Sequence, residues 1–433
     1  MRAIRVLAGV LLVAGLAVVV PGPAKGFFPY QPETYFVGAA ARDITPAGQT
    51  RLGGFGLGDG SVLPSVVVGP GHVGSPGSQR IGVRALVVDD GGGSPVVIAD
   101  IETQGMFAAY KGGAYGLSDI AAAVSAARPG SGLQPDHMIL ASDHTHSGPD
   151  TIGAWGFVPD SYMERIKQAA VEAVVAAYDS RVESTMWVGR SKAFDLVYNQ
   201  NCTQALNQDP DAVYTGPEVC NLPDQDVKDA YVRVLQARAV ADGSPVATLV
   251  SYNAHSTLGG ADGIHGDWPQ FLSDRMAAEL GGVGIGMEGA IGRIQPCRPQ
   301  CSFTNPAQFG GATDRRSAYL NALMSHVRAS LDSAVRVTGV VTGTQRLIRE
   351  PVTDPAVLAL FAGGSRVGAE LRRSLASPWM AGPTIGTPVS SIAIGRVLVS
   401  GYPGEAYPNI DVGVAEAVSG LLENIPLGLA NDQ

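Results

Sequence analysis

Histidine and cysteine are scarce, with seven and four residues among 433. The four cysteines, Cys202, Cys220, Cys297 and Cys301, lack the paired C-x-x-C spacings of a zinc ribbon. The economical pairing is Cys202 with Cys220 and Cys297 with Cys301, although four cysteines permit about three connectivities. Lys and Arg number 30 against 39 Asp and Glu, and no basic run interrupts the net charge of −9. That balance excludes a general nucleic-acid binder. Past residue 20 no apolar run approaches the ~20 residues of a membrane-spanning helix. No G-x-S-x-G occurs, which disfavours a serine hydrolase built on a nucleophile elbow. Glycine is plentiful, at 56 residues, but has no period, which excludes a fibrous chain or a long linker.

What is present begins with Arg2 and Arg5, an apolar run over 6–20, and then Pro21, Pro23, Ala24 and Gly26. This is the layout of a secretory signal peptide over 1–26, and it predicts a secreted or envelope-associated protein. The run is short for an uncleaved anchor, and no cysteine follows it to carry a lipid. An oxidising compartment also suits paired cysteines.

Strand-like and helical patterns alternate through the rest. Strands are predicted at 35–44, 81–88, 95–101, 137–142, 185–194, 231–240, 246–252, 284–294, 337–349 and 392–400. Helices are predicted at 118–128, 161–178, 268–280, 317–335 and 410–422. Hairpin signals at Asp89-Asp90-Gly91-Gly92 and Asp242-Gly243 make the sheet mixed, so the expected class is a layered α/β fold.

One stretch organises the chemistry: Asp143-His144-Thr145-His146-Ser147-Gly148-Pro149, directly after the apolar strand 137–142. In extended chain, residues two apart face the same way, so His144 and His146 could share a cation. His255 stands just past strand 246–252, and Glu405 just past the apolar run 396–400. Strand carboxyl ends are where α/β sheets build their crevices. Two histidines and a glutamate with a position left for water form the ligand set of a catalytic zinc site. The residues alone do not choose between His144 and His146. Asp267, two residues after His265, either caps the helix beginning at Trp268 or orients a ligand histidine. Asp143, Glu102 and Glu288 are further acids near strand ends, and the glycine-rich loop 53–77 would line an entrance.

These residues also carry a resemblance. Asp43-Ile44-Thr45-Pro46, Gly53-Gly54-Phe55, Arg84-Ala85, HTHSGP, Gly189-Arg190-Ser191, His255 with Asp267-Trp268, and Pro403-Gly404-Glu405 come in an order similar to the neutral/alkaline non-lysosomal ceramidase family. The resemblance runs from about residue 37 to the end and implies one catalytic domain over 35–433, without the family's C-terminal β-sandwich. It implies Zn2+ held by His144, His255 and Glu405, with His146 beside the metal and Arg190 as a group that holds substrate. Two positions depart from the family pattern. Gln295 and Arg293, in Gly292-Arg293-Ile294-Gln295-Pro296, stand where the family has an active-site serine and an aspartate. Glutamine donates a hydrogen bond but is no nucleophile. The run 428–433 resembles the strand after which family members continue to a tyrosine ligand, which leaves three alternatives: a C-terminal edge missing from this sequence, a site with three protein ligands, or Tyr402 or Tyr407 near Glu405 as a substitute.

The expected reaction is hydrolysis of an N-acyl amide by a zinc-activated water, on a small-molecule or lipid substrate, with room for peripheral contact with membrane lipid. A metal hydrolase of the same fold for another amide or ester, and a non-catalytic binding module, are the alternatives.

Overall fold

The computed structural model describes residues 31–54, 67–68, 80–110, 112–153, 155–156, 158–200, 228–259, 263–296, 315–351, 353, 380–381, 384–418 and 420–432. The expected signal peptide, all four cysteines and most of the loop 53–77 lie outside these residues.

Among the described residues two large sheets pack together, beside two short two-stranded pairs. The larger contains β1 (Tyr35–Asp43), β2 (Gly82–Asp89), β3 (Val96–Ile101), β4 (Met138–Ser142), β5 (Val182–Lys192), β6 (Tyr231–Ala239), β7 (Pro245–Tyr252) and β8 (Val283–Glu288). Their spatial order is β8-β7-β6-β5-β1-β2-β3-β4, and Val335–Val337 adds a ninth strand against β5. Only the end pairs, β7 with β8 and β3 with β4, are parallel; the hairpin signals correspond to the antiparallel pairs β2–β3 and β6–β7. The second sheet orders β9 (Val341–Pro351), β10 (Thr384–Ile394), β11 (Val397–Gly401) and β12 (Glu423–Leu427), with Met380–Ala381 on β10.

Side chains alternate across the larger sheet with the period of two that a pleated strand imposes. Val83, Ala85, Val87, Val97, Ala99, Ile101 and Leu140 face helices α1 (Leu117–Ala127) and α2 (Asp160–Asp179). Leu86, Val88, Val96, Ile98, Ile139 and Ala141 face the second sheet through Ile392, Ile394, Val397, Val399, Ile425 and Leu427. On α2 the buried residues Ile166, Ala170, Ala173 and Ala177 keep helical spacing. Helices α3 (Asp267–Leu280) and α4 (Arg315–Asp332) cover β6 and β7 through Trp268, Leu272, Leu323 and Val327. Each such aliphatic side chain contributes about 1.5–3 kcal/mol by leaving water. The result is the mixed-sheet, layered α/β sandwich that the patterns predict. Among the described residues no helix is long and apolar enough to cross a membrane.

Three predicted elements differ. The stretch 392–400 is a hairpin rather than one strand, because Gly395 turns at φ 56 between β10 and β11. The closing strand is β12, while Leu429 and Asn431, at φ 46 and 62, interrupt any strand over 428–433. The final helix, α5 (Pro408–Ala417), ends five residues early and connects the parallel pair β11 and β12.

Candidate metal centre

Three strand ends meet at one point. β4 delivers His144 and His146, β7 delivers His255, and β11 delivers Glu405. At His144 the chain takes a left-handed conformation, φ 48, which turns the loop back on itself at a cost of about 1–3 kcal/mol. The loop is tied down to offset this. Thr145 Oγ1 donates to His265 O at 2.7 Å, Ser147 N to Thr145 Oγ1 at 3.1 Å, and His146 N to Ser256 O at 3.3 Å.

Backbone carbonyls fix both ring orientations. His144 Nδ1 lies 2.8 Å from Gln104 O, and His255 Nδ1 lies 2.9 Å from Ile294 O. A carbonyl only accepts, so each Nδ1 carries the proton and each Nε2 turns its lone pair inward. The inward atoms sit close: His144 Nε2 to His146 Nε2 at 3.3 Å, His144 Nε2 to Glu405 Oε1 at 3.4 Å, and His255 Nε2 to Glu405 Oε2 at 3.1 Å. A tetrahedral site with metal–ligand bonds of 2.0–2.1 Å has donor–donor edges of about 3.3 Å. One donor atom from each of His144, His146 and His255 lies within 4.8 Å of the others, so the residues fit a divalent cation.

Charge agrees with that fit. His144 is 3% exposed, and burial pushes its imidazole down to about 4 against the pull of Glu405, so it is neutral at pH 7, as a ligand must be. Burial would raise the Glu405 carboxyl, but the close approach of His255 and the neighbouring imidazoles outweighs it and holds the group at about 2. A neutral His144 imidazole and one carboxylate therefore face a common centre.

The remaining predicted residues take distinct places. Gln295 follows the carbonyl that holds His255, and its Oε1 accepts from Thr257 Oγ1 at 3.0 Å. Arg190, 52% exposed, lies 3.5 Å from Glu423 and over the Tyr231 ring. Arg293 Nε donates to Tyr407 Oη at 3.1 Å, and Tyr402 is buried with Ala290 and Ala406. Asp143 is buried behind the loop, accepting from Thr145 N, and burial with the charges of Asp100, Glu102 and Glu288 pushes its carboxyl well up. Glu102 instead pairs with Arg84 at 2.7 Å.

Asp267 is neither a plain cap nor a direct orienter of a ligand. Gly266 occupies the N-cap, and Asp267, at φ 55, accepts from Leu258 N at 2.9 Å and Gly259 N at 2.7 Å. It anchors the loop that follows His255. Sequence patterns missed the carbonyls of Gln104 and Ile294, since a backbone acceptor has no residue-type signature.

No protein-family model matches this chain. No curated protein matches it by sequence. Solved structures do match. "Ceramidase complexed with C2" superposes with a TM-score of 0.65 at 18% identity, over 92% of this chain and 68% of that one. The crystal structure of neutral ceramidase from Pseudomonas aeruginosa superposes with a TM-score of 0.63 at 18% identity, over 93% and 68%. Over nearly all of its length, this chain has the fold of neutral ceramidase.

Proposed function

We propose that this protein is an exported, zinc-dependent hydrolase that cleaves the amide bond of an N-acylated, lipid-like substrate of the ceramide type. The observation that carries the reading is the meeting of His144, His255 and Glu405 from three separate strands, with Glu405 3.4 Å from His144 and 3.1 Å from His255, and with His146 beside them. The neutral-ceramidase fold supports the substrate class. His144 and His255 present lone pairs because their other nitrogens are spent on carbonyls, and Glu405 contributes the negative charge that a cation needs. A zinc ion held by these residues would supply Lewis acidity and lower the pKa of a bound water to about 7. His146, less buried than the other two histidines, would accept the proton of the attacking water at Nε2 and pass it to the nitrogen of the leaving amine, a step worth about 10²–10⁴ in rate. Gln295 has its oxygen engaged by Thr257, so its amide nitrogen is the donor offered to a substrate carbonyl. Arg190, held by Glu423 with half its side chain exposed, is the group for a polar substrate oxygen.

Gln295 also favours a second reading, a different acyl amide or an ester, since it stands where the resembling family has serine. Fatty-acid release separates the two. An N-acylsphingosine, its O-acyl analogue and an N-acyl amino acid are incubated with the protein, with and without a chelator. Chelator-sensitive release from the N-acylsphingosine supports the first reading. Release from the others alone moves the assignment to the second, and zinc binding without any release leaves a binding module.

A further inference from the structure

We propose that Gly54 is a positioning residue: its missing side chain is what allows the His146 imidazole to stand against the metal ligands. The inference rests on the role given to His146 above. Gly54 has φ 105, and a Cβ placed on it would stand 2.5 Å from His146 Cγ, 2.6 Å from Nδ1 and 2.9 Å from Cβ. Those atoms are the root of the side chain rather than a flexible tip. The ring would have to rotate about its first side-chain bond and carry Nε2 away from its 3.3 Å approach to His144.

Neither backbone is free to retreat. Gly53 N donates to Gly148 O at 3.0 Å, Asp150 N donates to Arg51 O at 3.1 Å, and Leu52 bridges Pro149. On the other side His146 N is held by Ser256 O at 3.3 Å. Gly53 makes the neighbouring close approach, with a Cβ only 2.6 Å from Gln104 Cγ, and Gln104 supplies the carbonyl that orients His144. The Gly53-Gly54 pair thus presses on the supports of both histidines. Proton transfer needs the imidazole within hydrogen-bond reach of the reacting group, so a displaced ring loses its contribution while the zinc ligands stay in place.

Gly93 is the control, because it has φ 81 and nothing within 4 Å of its Cβ. Gly54→Ala and Gly93→Ala therefore share the left-handed backbone penalty, and only the first meets a ring. With ring-labelled histidine, and His146→Gln to assign the signal, Gly54→Ala is expected to move the His146 resonance. Gly93→Ala leaves it unchanged. Gly54→Ala is also expected to retain zinc while kcat falls about 100-fold with KM little altered. A His146 resonance that is the same in Gly54→Ala and Gly93→Ala overturns the proposal. If the wild type cleaves no amide, the functional reading fails by itself and the resonance still decides this one. If Gly54→Ala folds poorly, its excess instability over Gly93→Ala should be relieved by His146→Ala, which removes Cγ and Nδ1. An excess that persists in that background overturns the proposal.

Discussion

Two buried clusters of ionisable groups lie close together in this fold, and they differ in whether they are complete. Around Arg233, Asp229 approaches at 2.7 Å, Glu423 at 3.1 Å and Asp411 at 3.4 Å. The guanidinium supplies the positive charge; burial would raise Asp229, yet Arg233 pulls it below its ordinary value, while burial drives Asp411 up. At the candidate metal centre no cationic side chain among the described residues plays the part of Arg233: three imidazoles and Glu405 aim acceptor atoms at one another. The first cluster carries its own cation and reads as structure. The second could hold a cation and reads as a candidate site. Asn253 joins them, donating to Asp229 two residues before His255.

Breaking each cluster should show the difference. Arg233→Met leaves three buried carboxyls without their partner, and should cost about 3–5 kcal/mol in urea unfolding of the zinc-free protein. The protein that does fold should still bind zinc.

Acid should act on the other cluster. His144 titrates near 6.5 in the unfolded chain and near 4 when folded, so folding releases protons across that window. Its contribution, about 3 kcal/mol, is full above 6.5 and lost as pH falls toward 4. Unfolding free energy of the zinc-free protein should fall across that range, and His144→Gln should flatten the slope.

Asp267→Ala sharpens the contrast from the support side. It frees Leu258 N and Gly259 N, at about 1–3 kcal/mol in stability. By loosening the loop behind His255 it should also weaken zinc binding by roughly 10–100-fold in a chelator competition. The smallest stability effect belongs to Glu405→Gln. Its side chain is 40% exposed, so the zinc-free protein should lose under about 1 kcal/mol, although the only carboxylate among the proposed ligands is gone.

Much of this was legible in the residues. Strands such as Met138–Ser142 and Val96–Ile101 are buried on both faces and so stand out as apolar runs, and the first of them leads directly to the candidate ligand His144. What stayed hidden depends on contacts distant in sequence. Arg190 meets Glu423, Asp267 meets Leu258 and Gly259, and Gly54 meets His146; none of these pairings leaves a trace in local periodicity. The turn at Gly395 was missed for a different reason. A two-residue hairpin inside an apolar run resembles one longer strand until the glycine φ is known.

The most direct test of the central claim is the metal content of purified protein after zinc reconstitution and dialysis, in the wild type, His144→Ala, His255→Ala and Glu405→Gln. The account predicts near-stoichiometric zinc in the wild type and its loss in all three variants, each still folded by circular dichroism. No zinc in the wild type, or zinc retained equally in the variants, would contradict it.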